Sequence, residues 1–167
     1  MEQPHFYFVF ITALIPLIVG FVWYNPKVFG NAWMKETGLT EESMKGANMA
    51  LIFGLTYLFG VFLSAALLGM VIHQMGFFSM LQDDPSFMDS NTPNGAWYIE
   101  VMKIHGHSFR TFRHGALHGV IGAITFALPV LGINALFERK GFKYIAIHLG
   151  YWVVSLALMG SVLCHFV

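Results

Sequence analysis

The chain has 167 residues, of which 56% are hydrophobic, 16% aromatic and 11% charged, whereas soluble domains carry roughly a quarter charged residues. That balance reads as a membrane protein. A formal net charge of zero, with no basic face to track phosphates, sets nucleic acid aside as a partner, and the single cysteine, Cys164, excludes an internal disulfide or a cysteine-cluster metal site.

Crossing about 30 Å of hydrocarbon takes roughly 20 apolar residues. Four segments qualify, at about 6–24, 49–73, 114–137 and 144–166. The expected fold is therefore all-α: a single polytopic membrane domain over 1–167, with four transmembrane helices in a bundle and short interfacial helices between them. The first span lacks a basic start and runs into "WYNPK" where a cleavage site would need small residues, so it reads as retained, the mature chain starting near Met1.

The first connection carries Phe29, Trp33 and Met34 among polar residues, then Thr40 as an N-cap ahead of Glu41 and Glu42, and is expected to lie along the interface. The connection at 74–113 holds "DDPSFMDSNTPNG", dense in turn formers, which predicts a mobile outer loop. It is followed by Trp97, Val101 and Ile104 at helical spacing, a short interfacial helix. Glu138 to Lys143 reads as a tight helical hairpin, with Gly141 as left-handed cap and Arg139 and Lys140 suited to the negative end of the preceding helix. Lys27, Lys35, Lys45, Arg139, Lys140 and Lys143 outnumber Lys103, Arg110 and Arg113, so the first and third connections are expected in the cytoplasm, with the termini and the 74–113 loop outside.

The spans also resemble one another. "ITALIPLI" and "ITFALPVL" place Thr12 and Thr125 four residues before Pro16 and Pro129, and "SAALLGMVI" matches "SLALMGSVL" from Ser64 and Ser155. Either two related helical hairpins stand side by side about a pseudo-twofold axis, or the narrow residue alphabet of membrane helices produces the match. Paired kinks at the two prolines are expected in the first case. Gly115, Gly119, Ala123 and Ala127 form a row of small side chains that lets a helix approach closely, within the chain or between copies, with Gly60 and Ser64 or Ala146 and Gly150 as facing surfaces.

In "FRHGALHG", His114 and His118 lie one helical turn apart, a workable two-ligand element for a transition metal or haem. His73, at similar depth, and His105 and His107, around Gly106, are the further ligand candidates. The same pair also suits the water–membrane boundary with no ligand at all, and spacing alone favours that reading, since no acidic or cysteine partner completes a ligand motif and no cofactor is required by the sequence. Inside the spans there is no Asp, Glu, Lys or Arg, which argues against ion-coupled transport. No nucleophile–base set or phosphate loop can be assembled, so an enzyme is the least supported class.

The runs "GFVWYNPKVFGNAWMKETGLT" and "LPVLGINALFERKGFKYIAIHLGYWVVSLALMG" resemble the integral-membrane family known as domain of unknown function 1761, through the elements W-Y-x-P-x-x-F-G and N-x-L-F-E-R. The resemblance spans most of the chain except roughly 78 to 108. It implies a small multi-pass protein of the bacterial inner (cytoplasmic) membrane, and its shared positions fall on Trp23, Tyr24, Pro26, Phe29, Gly30, Trp33, Asn134, Phe137, Glu138, Gly150 and Tyr151. The middle connection is longer than is usual there, and His148 stands where Asn is common. Asn25-Pro26 ends the first helix, and Asn134 and Glu138, one turn apart, are expected to hydrogen-bond this "WYNP" corner and lock the first and third spans together.

The sequence thus favours a non-enzymatic interaction or accessory subunit of a membrane complex, in contact with lipid and with other subunits or itself. A histidine-rich metal or haem binder on the outward face comes second, and a carrier for a neutral or lipid-like molecule third.

Overall fold

The computed structural model describes residues 5–167, and every regular element among them is helical. The expected start near Met1 lies outside the described residues. The chain opens with α1 (Phe8–Thr12) and α2 (Ile15–Trp23), separated by a break just ahead of Pro16, which occupies the first turn of α2 where its missing N–H is not needed. After Tyr24 a wide π turn (Pro26–Gly30) leads into α3 (Asn31–Thr37), bent by 56° from the first pair. Asn25 makes this corner. Its side-chain oxygen accepts from Lys27 N at 2.9 Å and its carbonyl from Gly30 N at 2.9 Å. A Cβ at Gly30 would collide with the Tyr24 and Asn25 backbone, so only glycine fits there.

Next come α4 (Glu41–Met44), opened by Thr40 in a reciprocal cap with Ser43, then α5 (Met49–Val71), α6 (Gln74–Leu81) and α7 (Pro93–His105). The last leg is α8 (Phe112–Gly122), a second π turn (Ala123–Ala127), α9 (Leu128–Phe137) and α10 (Phe142–Phe166). Three rods are long and apolar enough to cross a membrane: Met49–Val71, Phe112–Phe137 and Phe142–Phe166. The bent pair at the start makes a fourth if counted as one span. Phe21 (81% exposed), Leu136 (72%) and Phe126 (66%) point outward, a surface whose apolar area is stable only against lipid or another apolar partner.

The 74–113 connection is more regular than its turn formers suggest. It contains α6, which the sequence pattern did not single out, and between α6 and α7 Asp84 gathers Ser86 N, Ser86 Oγ and Asn94 Nδ2 at 2.9, 2.6 and 2.7 Å. These donors, the Ser86 hydroxyl foremost, hold its carboxyl below the usual carboxylate range.

Helix α10 organises the molecule. It lies along α8 on one side and against α1, α2 and α5 on the other. Met159, Leu163 and Val71 are fully buried between them. The small-residue row works inside the chain: a Cβ at Gly115 would strike the Gly160 carbonyl, and one at Gly119 the Leu156 carbonyl. Ala123 is fully buried, whereas Ala127 is only half-buried. The facing surface is thus the Leu156–Gly160 stretch and not the expected pairs, because Gly60 is taken up by the Ala13 backbone and Gly150 by the Trp23 ring.

Both ends are tied. Phe8 stacks on Phe166 at 4.9 Å and Arg110 Nε donates to Cys164 O at 2.7 Å, so the start of α1, the start of α8 and the end of α10 share one end. At the other, Lys140 Nζ donates to the Thr37 and Glu36 carbonyls (3.1 and 3.4 Å) at the negative end of α3, and Lys143 pairs with Glu36 at 3.5 Å. The hairpin after α9 is tight as expected, but its left-handed residue is Arg139 (φ 56°), not Gly141, which is extended and begins α10. Helix α9 ends at Phe137, and the closing bond from Lys140 N to Ala135 O (2.8 Å) requires the residue between Glu138 and Lys140 to be the left-handed one.

The proposed repeat is only partly echoed. Both proline sites coincide with irregular turns, yet Thr12 lies 3.1 Å from Ser64 Oγ, while Thr125 sits on the outer face and donates to Ile121 O. Its counterpart Ser155 is fully buried with no hydrogen-bond partner. The π turn around Thr125 carries that side chain away from α10.

Candidate metal centre

Three of the five candidate ligands converge. Thr111 caps α8, its hydroxyl accepting from His114 N at 3.2 Å, and the first two turns of the helix then present His114 and His118 on one face. His73 comes from the turn between α5 and α6, brought alongside because α5 packs on α8 and α10. The ligand nitrogens of His73, His114 and His118 all lie within 4.8 Å of one another. His73 Nε2 and His114 Nε2 are 2.8 Å apart, and the ring centroids of the three pairs are 4.9, 5.1 and 4.5 Å apart. Zinc–nitrogen bonds of about 2.0–2.1 Å in a tetrahedron place ligand nitrogens roughly 3.4 Å from each other. Small ring rotations that open the 2.8 Å pair, with all three nitrogens already within 4.8 Å, therefore reach ligating geometry. Three neutral imidazoles suit zinc, copper, cobalt or nickel. Haem fits poorly, since a porphyrin needs its axial imidazoles on opposite sides of a broad plane and His73 and His114 touch directly.

His105 and His107 do not join. Both are exposed, His105 ending α7 with its side chain 3.5 Å from Ser108 Oγ. His105 still contributes through its carbonyl, which accepts from Gln74 Nε2 at 2.8 Å and so fixes α7 beside α6. Gln74 itself escaped sequence reasoning. Nothing in its spacing marks it, although it directly follows a ligand candidate. Phe109, whose ring packs 5.8 Å from His73 and 5.2 Å from His114, has a left-handed backbone (φ 63°), which a bulky residue rarely adopts.

At the far end, the "WYNP" corner finds its partner on α10 and not on the third span. Trp23 Nε1 donates to Ile147 O at 3.1 Å, Tyr24 Oη lies 3.1 Å from His148 Nδ1, and Tyr151 Oη donates to Pro16 O at 2.9 Å. Asn134 and Glu138 are exposed, and their side chains make no hydrogen bond among the described residues. The physical reason is placement: α2 packs against α5 and α10, leaving α9 on the flank. Asn134→Ala is accordingly expected to leave the unfolding midpoint in detergent unchanged, whereas Trp23→Ala, losing a half-buried ring and one hydrogen bond, should cost about 2–3 kcal/mol. Equal midpoints for the two variants, followed by circular dichroism, would restore the corner's link to α9.

No curated protein and no solved structure matches the chain. The corner, the hairpin and α10 carry the residues on which the resemblance rested, and the match to a family model, described as protein of unknown function (DUF1761), runs over residues 7–164, nearly the whole chain; the chain belongs to that family.

Proposed function

We propose that the chain is a four-span membrane protein that holds a divalent transition-metal ion at His73, His114 and His118. One observation carries this reading: two elements 41 residues apart in sequence bring three imidazoles within 4.8 Å. An isolated pair on α8 would not distinguish a ligand set from a wet helix end. A third ring delivered from the turn after α5 does, because histidines that merely prefer the boundary have no reason to converge. Metal binding therefore takes precedence over the accessory-subunit reading that composition favours, and the ion could equally serve within a larger complex. Self-association through the small-residue row loses support, since α10 covers Gly115 and Gly119.

Pairing of the first and third connections at one end, and of the start of α1 with the end of α10 at the other, supports an even number of crossings, and the excess of Lys and Arg in those connections supports placing their end in the cytoplasm. The metal centre would then face outward, at the surface of a bacterial inner membrane. The test is direct: detergent-purified, metal-stripped protein dialysed against Zn²⁺ should take up one ion per chain, and His118→Ala less than a tenth of that. Uptake unaffected by this substitution would overturn the assignment.

A further inference from the structure

We infer that the ion keeps one coordination position open toward a neighbouring cavity, and that this position takes a small neutral ligand joining a metal-binding lone pair to a hydrogen-bond donor on an apolar body. The inference rests on the metal reading above and extends it to what the ion binds.

Sites that only brace a fold fill all four positions with protein atoms, whereas sites that work on a ligand supply three. Here no fourth His, Cys, Asp or Glu joins the three histidines among the described residues. Beside them lies a cavity of about 300 Å³ with His73 in its wall, lined further by the apolar Phe77, Val101, Met102 and Phe109 and by the polar Gln74, His105 and Ser108. Its size is at the lower end of small-molecule pockets, roughly 300–1,000 Å³. Phe109 belongs to both features, packing on His73 and His114 while lining the cavity. Its strained backbone is held by Thr111 N and the Cys164 thiol, which both donate to the Phe109 carbonyl, at 2.8 and 3.4 Å. Such strain gathers where a side chain must stand in a particular place.

The chemistry of the ligand follows from Gln74. The residue is 9% exposed, and its Nε2 donates to the His105 and Ser108 carbonyls at 2.8 and 3.0 Å. Those two bonds fix the amide and leave Oε1 buried without a partner. A buried acceptor in this state is stabilised by an arriving donor. An anion would instead set a lone pair against this orphaned oxygen. The favoured ligand is therefore neutral, carries an N–H or O–H, and has a compact apolar remainder. Imidazole is the simplest probe with all three properties, and azide is its counterpart without the donor.

The experiment uses the full chain in detergent, loaded with Co²⁺, whose visible bands report coordination. Imidazole is expected to shift these bands saturably and at least ten-fold more tightly than azide. Val101→Trp, which fills the cavity without touching a ligand histidine, should still bind one Co²⁺ but need at least ten-fold more imidazole. Failure of the wild-type chain to bind Co²⁺ sinks the metal reading itself. Bound Co²⁺ whose spectrum ignores imidazole overturns the open position alone. Azide matching imidazole, or the tryptophan variant titrating like the wild type, overturns the assigned ligand class or the cavity.

Discussion

Gly119→Val should lower unfolding stability in detergent by about 3 kcal/mol or more, the upper range for overpacking a close-fitted interior. The position allows no relief. A Cβ there would meet the Leu156 carbonyl group and stand 2.7 Å from Ala157 Cα, all backbone atoms inside a continuous helix. Flexible side chains can swing aside, but the backbone of α10 can yield only by moving the whole helix, and α10 is also the wall against which α1, α2 and α5 pack. The penalty should therefore appear as global unfolding and not as local fraying. Gly132→Ala is the matched control. Nothing lies within 4 Å of a Cβ at Gly132, so that change removes a helix-weakening glycine at no steric cost and should be neutral or stabilising by up to about 1 kcal/mol. Unfolding is followed by the loss of helical circular dichroism with heating. If Gly119→Val melts with the wild type, α8 and α10 are not in the close contact described above.

The helices were legible because membrane crossing imposes a length, and runs free of charge stand out regardless of what they pack against. Two interruptions were legible too, since Pro16 and the Asn25-Pro26 corner disturb hydrogen bonding by covalent structure, whereas the rod Phe112–Phe137 runs on through Pro129 with a π turn just ahead of it. Neighbourhood was not. Hydrophobic composition is almost uniform around a lipid-facing rod, so nothing in the sequence said that α2 would rest on α10 and leave Asn134 and Glu138 on an outer flank. The metal candidates show the same division. His114 and His118 were readable from spacing within one helix, while His73 could be matched only by depth. His105 and His107 were equally plausible by residue type, and only the fold shows that neither joins the cluster, His105 lining the neighbouring cavity instead. Arg139 was missed for a local reason: glycine is the usual residue at a left-handed helix end, and a chain whose helix stops two residues earlier than Gly141 suggests places another residue there instead.

Adding Zn²⁺ to metal-stripped protein should raise its stability in a concentration-dependent manner, and this effect should vanish in His114→Ala. The argument is linkage. An ion that binds the folded arrangement and not the unfolded chain stabilises by about 2.7 kcal/mol when its free concentration is 100 times the dissociation constant. The unfolded chain is a poor competitor here, because His73 is held against His114 and His118 only by the packing of α5 on α8. Deleting His114 removes one of three ligands and also the 2.8 Å contact to His73 that holds the two rings together. Since His114 is only partly buried, the metal-free variant should keep most of the wild-type stability, which separates loss of a ligand from loss of the fold. Imidazoles ligate only when unprotonated, so the Zn²⁺-dependent stabilisation should also fade as the solution is acidified. A shift in unfolding midpoint that persisted in His114→Ala, or that was indifferent to acid, would place the ion on some other group and remove the three histidines as its site.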